Sequence, residues 1–62
     1  MSGRELAVLE LLAEGCTNRE IAQRLFIAQG TVKAHVASVY RKLEVHSHAE
    51  AVSRARDLDL IG

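Results

Sequence analysis

Three times in this 62-residue chain a hydroxyl side chain is followed, three positions later, by a glutamate: Ser2-Gly3-Arg4-Glu5, Thr17-Asn18-Arg19-Glu20 and Ser47-His48-Ala49-Glu50. The spacing is that of a capping box, in which the hydroxyl accepts the N3 amide and the glutamate reaches back to the N-cap amide. Each box opens a run with helical periodicity. After the first, Val8, Leu9, Leu12 and Ala13 share one side, flanked by Leu6 and Leu11. Gly15 then stands where a left-handed C′ residue ends a helix. The second box leads into Ile21, Ala22 and Leu25, and the third into Ala51, Val52 and Ala55, with Leu58, Leu60 and Ile61 beyond. Proline is absent, which agrees with helix throughout. The pattern predicts helices over about residues 3–14, 18–25 and 48–58.

Between the second and third boxes, Val32, Val36, Val39 and Leu43 recur at i, i+4, i+7 and i+11, one stripe of a further helix over about 29–44. Its opposite face carries Gly30, Lys33, Ala34, Ala37 and Arg41: small residues and two cations, with no carboxylate. Phe26-Ile27 form an apolar bridge into this helix, and Ile27 is expected to plug the angle between it and the helix before. Ala28 offers no capping oxygen, so either Thr31 takes part of that role or the first turn rests on tertiary contacts. A short helix, a tight connector and a longer helix that presents small groups and positive charge outward read as a helix-turn-helix entering a groove in DNA. The fold class expected is all-α, a four-helix bundle with a helix-turn-helix, in one domain of residues 1–62.

The formal net charge is zero, which argues against a polyanion partner until its distribution is considered. Residues 15–46 hold five cations, Arg19, Arg24, Lys33, Arg41 and Lys42, against Glu20 and Glu44, so the positive charge gathers on the helix-turn-helix. An enzyme is not expected: there is no glycine-rich phosphate loop, no nucleophile beside a base, and little room for a pocket. No cofactor is expected. No metal is expected either, since His35, His46 and His48 match no standard ligand spacing. Cys16 reads as a small, half-buried hydrophobe, and Tyr40 as core with its hydroxyl at the rim. No apolar run is long enough to span a membrane. A lone cysteine fits a reducing compartment, and a cytoplasmic location is expected.

The register of Arg4-Glu5, Val8-Leu9, Leu12-Ala13, Glu14-Gly15, Thr17-Asn18, Glu20-Ile21-Ala22, Leu25, Ile27, Thr31-Val32-Lys33, His35, Lys42-Leu43, Val45 and Ala51-Val52 resembles the LuxR-type helix-turn-helix domain of bacterial transcriptional regulators, over essentially the whole chain. The resemblance implies that the third helix lies in the major groove and that the fourth serves dimerisation on two half-sites. It also implies a module at the C-terminus of a larger regulator, behind a receiver or small-ligand sensor, so the chain is either such a fragment, the favoured expectation, or a free-standing effector domain. Two positions depart from the pattern: His48 stands where an arginine is common, and Ala28 where many members carry a serine cap.

On this reading the groove-facing positions are Gly30, Lys33, Ala34 and Ala37. Lys33 is the expected base contact, because an ammonium can donate to guanine N7 and O6. Ala37 allows close approach, and Ala34 either does the same or offers its methyl to thymine. Thr31, Gln29, Arg41, Lys42, Thr17 and Asn18 are the expected phosphate contacts, which fix register rather than sequence. His35 is expected at the backbone or as a packed ring beside it, while Arg19 and Arg24 read as solvated charges. Val52, Ala55, Ala49 and Arg56 are the expected dimer surface, for a homodimer on an inverted repeat in double-stranded DNA. The alternative for that face is that Ala51 and Val52 are core and the chain stays single off DNA. The competing class of function is a helical protein-interaction module whose small-residue face binds another helix.

Overall fold

A computed structural model describes all of residues 1–62 as four helices and no strand: α1 Gly3–Ala13, α2 Asn18–Leu25, α3 Gln29–Leu43 and α4 His48–Asp57. The first two capping boxes are complete. The Ser2 and Thr17 hydroxyls accept the Glu5 and Glu20 amides at 3.1 Å, and the carboxylates accept the Ser2 and Thr17 amides at 3.0 and 2.8 Å. The third box is only half made, which corrects the sequence reading. Ser47 Oγ accepts the Glu50 amide at 3.2 Å with no return bond. Ser47 has φ −144°, against −74° and −75° at the other two caps, which turns its own amide away from the first turn of the helix.

All four helices stop in one way. A left-handed residue follows each, at Gly15, Phe26, Glu44 and Asp59, with φ of 89°, 56°, 57° and 56°. The next amide then bonds back across the last turn: Cys16 to Leu11 O, Ile27 to Ala22 O, Val45 to Tyr40 O and Leu60 to Ala55 O, at 2.8–3.1 Å. This is the long bond of a Schellman stop, and the apolar residue after each left-handed position is folded back onto the helix it leaves. Ile27 is half-buried against the core by this means, as expected of it.

The core has two lobes. Val8, Leu12, Ile21, Ala22 and Val32 form one, between α1, α2 and α3. Leu9, Val39, Leu43, Val45, Ala51 and Ala55 form the other, between α1, α3 and α4. The α3 stripe runs through both, and Tyr40 packs against each. The eight-residue α2 is too short to persist alone. Complete burial of Ile21 stabilises it against the rest by about 1.5–3 kcal/mol. No helix is long and apolar enough to cross a membrane.

Candidate nucleic-acid interface

The α3 residues the sequence places on the outward stripe, Gly30, Lys33, Ala34, Ala37 and Arg41, are all exposed, while Val32, Val39 and Leu43 are buried and Val36 half-buried. No carboxylate lies within the helix, and neither Lys33 nor Arg41 is ion-paired. Around this stripe Thr31 and Gln29 are exposed at the start of α3, and His35 is half-buried on its inner margin.

The start of α3 differs from the other three. Ala28 is its N-cap, no side chain caps it, and no acidic residue occupies its first turn. Thr31 and Val32 amides share the Ala28 carbonyl at 3.0 and 3.1 Å, which leaves the Gln29 and Gly30 amides without a partner in the chain. Thr31 does not cap with its side chain; the first turn is held from behind, through buried Val32. Exposed amides at a helix N-terminus, with no glutamate in front of them, suit an anion. Thr17 and Asn18 open α2. The Thr17 hydroxyl already accepts the Glu20 amide, so its first duty is the cap. Thr17's amide and hydroxyl in turn hold the Glu20 carboxyl below its ordinary range, against slight desolvation and with help from Arg24.

One expectation needs correction, and two of the cations are ion-paired. The Lys42 ammonium lies 2.7 Å from Glu5 Oε1, and the carboxylate it meets is almost wholly buried. Arg24 is likewise paired, with Glu14 at 3.4 Å. Ala55, expected on a dimer surface, has no exposed surface and packs beside Leu9 and Val39. Ala51 is buried with it, whereas Ala49 and Arg56 are exposed and Val52 half-buried.

Two residues carry more than their sequence suggests. Glu5, read only as a cap, is the single buried charged residue, at 5% exposure. Its carboxylate takes hydrogen bonds from Lys42, the Ser2 amide and Ser38, and these hold it well below the usual carboxylate range in spite of burial. The i, i+4 pair Ser38 and Lys42 was the available signal for this grip. His48 Nε2–H donates to the Leu12 carbonyl at 2.7 Å, tying the start of α4 to the end of α1. The departure at His48 is therefore a structural contact. His35, His46 and His48 are not gathered into a cluster of ligand-type side chains.

Comparison with known proteins gives this geometry a family. Residues 1–55 match the family described as bacterial regulatory proteins, luxR family. The chain is 44% identical over 59 residues to the glycerol metabolism activator of Pseudomonas putida, covering 95% of this chain and 27% of that protein. It is 42% identical over 57 residues to the transcriptional regulatory protein DesR of Bacillus subtilis, covering 92% of this chain and 29% of DesR. In structure it is similar to the response regulator ChrA of a heme-sensing two-component system, with a TM-score of 0.94 and 42% identity over 97% of this chain and 30% of ChrA. The chain thus spans under a third of the length of these relatives. An exposed, carboxylate-free α3 on a two-lobed helical core, matched along 55 residues, places the chain in the luxR family of bacterial regulatory proteins, whose domain is a DNA-binding transcription regulator's and not an enzyme's.

Proposed function

We propose that the chain binds double-stranded DNA sequence-specifically, with α3 in the major groove, and acts as the output domain of a transcriptional regulator. The observation that carries this is the exposed α3 stripe, on which two unpaired cations stand among glycine and alanines with no carboxylate between them. Lys33 reads a base edge by donating to acceptors such as guanine N7 and O6. Gly30, Ala34 and Ala37 let the helix backbone approach the bases. Arg41, Thr31, Gln29 and the open amides of Gln29 and Gly30 meet phosphates, with Thr17, Asn18 and His35 at the margins.

Two copies act on an inverted repeat, paired through the exposed part of α4 at Ala49, Val52 and Arg56. So small an apolar area supports only weak pairing off DNA. The domain belongs at the C-terminal end of a larger regulator in the bacterial cytoplasm, where an upstream domain controls access to these surfaces. The coverage of about 30% of relatives such as ChrA supports a regulator larger than this domain, and no more of that placement.

The test is selection from a random duplex library, with binding of the winners repeated at two salt concentrations. Enrichment of an inverted repeat with salt-sensitive affinity is expected. No enrichment, with weak and salt-insensitive binding, would favour the protein-interaction reading instead. Lys33→Ala should weaken specific binding by about 1–3 kcal/mol and relax preference at one base position. Unchanged preference would reduce Lys33 to a phosphate contact.

A further inference from the structure

Glu5 and Glu20 occupy the same position in two complete capping boxes, yet their surroundings differ. Glu20 is exposed, and its carboxylate finds hydrogen-bond partners only in Thr17 of its own box. Glu5 is buried, and its carboxylate also reaches across to α3, where it accepts Lys42 Nζ at 2.7 Å on Oε1 and the Ser38 hydroxyl on Oε2. Capping alone requires neither the burial nor the two distant donors.

Ser38 and Lys42 are four residues apart, so they stack one turn above the other on a single flank of α3. At about 100° per residue, that flank lies about 100–140° around the axis from Ala37, between the exposed stripe and the valine stripe. The helix is therefore held in two ways. Apolar contact fixes its distance from the core but is non-directional and tolerates some roll. The hydrogen bond from the short-stemmed Ser38 hydroxyl to a buried carboxylate resists roll, because it weakens steeply with angle, and the Lys42 ammonium one turn on adds the pull of its charge. A roll of about 10° displaces the side-chain ends on the far face, about 5–6 Å from the axis, by about 1 Å, enough to spoil hydrogen bonds to base edges.

We propose that Glu5 is a positioning residue for sequence discrimination: its carboxylate sets the roll of α3, and so decides which base edges the exposed stripe can reach. The proposal rests on the DNA reading of α3 given above. Phosphate contacts, being tolerant of small displacements, depend on it far less.

Two variants separate this from a role in stability alone. Glu5→Gln keeps one carbonyl oxygen for the Ser2 amide but loses the second acceptor and the charge. Ser38→Ala removes one grip and leaves the cap and ion pair in place, so it carries the test if Glu5→Gln fails to fold. Each is measured, at a temperature where circular dichroism shows it folded, for affinity to a library-selected duplex and to a scrambled duplex. The ratio of the two affinities should fall about tenfold in Glu5→Gln and severalfold in Ser38→Ala, with affinity for scrambled DNA little changed. An unchanged ratio, or equal weakening on both duplexes, overturns the proposal. Residual dipolar couplings of α1 and α3 amides read the roll without DNA, and an α3 orientation identical to wild type in Glu5→Gln also overturns it. A wild-type chain that does not discriminate the duplexes would overturn the DNA reading itself, while the couplings still decide whether Glu5 sets the roll.

Discussion

Gly15 is the one glycine among the four residues that end helices in a left-handed conformation; Phe26, Glu44 and Asp59 bear the steric cost of a Cβ there. Phe26 does so while 93% exposed as a residue, so packing of its side chain does not offset the cost. Glu44 is exposed and makes no side-chain hydrogen bond, so Glu44→Gly should stabilise the chain by about 1 kcal/mol. Gly15→Ala should destabilise it by about as much, since φ there is 89° and only backbone strain is added in otherwise open space. For a domain of this size each shifts the thermal midpoint by about 4–8 °C, in opposite directions. Equal midpoints for the two variants would show that the left-handed residues are not strained. The stop at Gly15 was legible in the sequence because glycine announces it. The other three ends were placed to within a residue by periodicity, but not their left-handed conformation, although each is followed by an apolar residue (Ile27, Val45 or Leu60) that a search for the back-folded contact would have found.

At the scale of the helix, sequence reasoning succeeded where polar and apolar residues divide cleanly and failed where they do not. The valine stripe of α3 opposes small and basic residues, so its inner and outer faces were both placed correctly. In α4 both faces carry small apolar groups, Ala51 and Ala55 on one and Ala49 and Val52 on the other, and alanine's side chain is too small for periodicity to tell core from surface. The capping boxes were legible as helix starts, but not the long reach of Glu5, because a local motif says nothing of partners 33 and 37 residues away. That reach has a pH consequence. Lys42, the Ser2 amide and Ser38 lower the Glu5 carboxyl, and Thr17 lowers Glu20, so the unfolded chain binds these protons more readily than the folded one. Their stabilisation is complete above the ordinary carboxylate value of about 4.3 and is lost progressively as pH falls below it. Helicity followed during acid titration should therefore decline below about pH 4. Glu5→Gln should start less stable at neutral pH and lose less on acidification; an acid limb as steep as wild type would remove Glu5 from this role.

Over the whole molecule, a net charge of zero conceals a basic face, but ion pairing trims that face. Of the five cations between residues 15 and 46, Arg24 and Lys42 are neutralised by Glu14 and Glu5, leaving Arg19, Lys33 and Arg41. The slope of log affinity against log salt should thus be no steeper than about −3 per bound domain, where five free cations would give about −4.5. The steeper value would mean that Arg24 and Lys42 abandon their carboxylates on binding.

The scarcity of side chains on the outer face of α3 also has an entropic side. Gly30, Ala34 and Ala37 have no rotamers to freeze, so covering them costs no side-chain conformational entropy. Ordering falls almost entirely on Lys33 and Arg41, at up to about 2 kcal/mol each. The backbone beneath them is already fixed by two core lobes. A surface of this kind forms few contacts and gives up little freedom to make them, so it favours fast, reversible sampling of many sites before one is held.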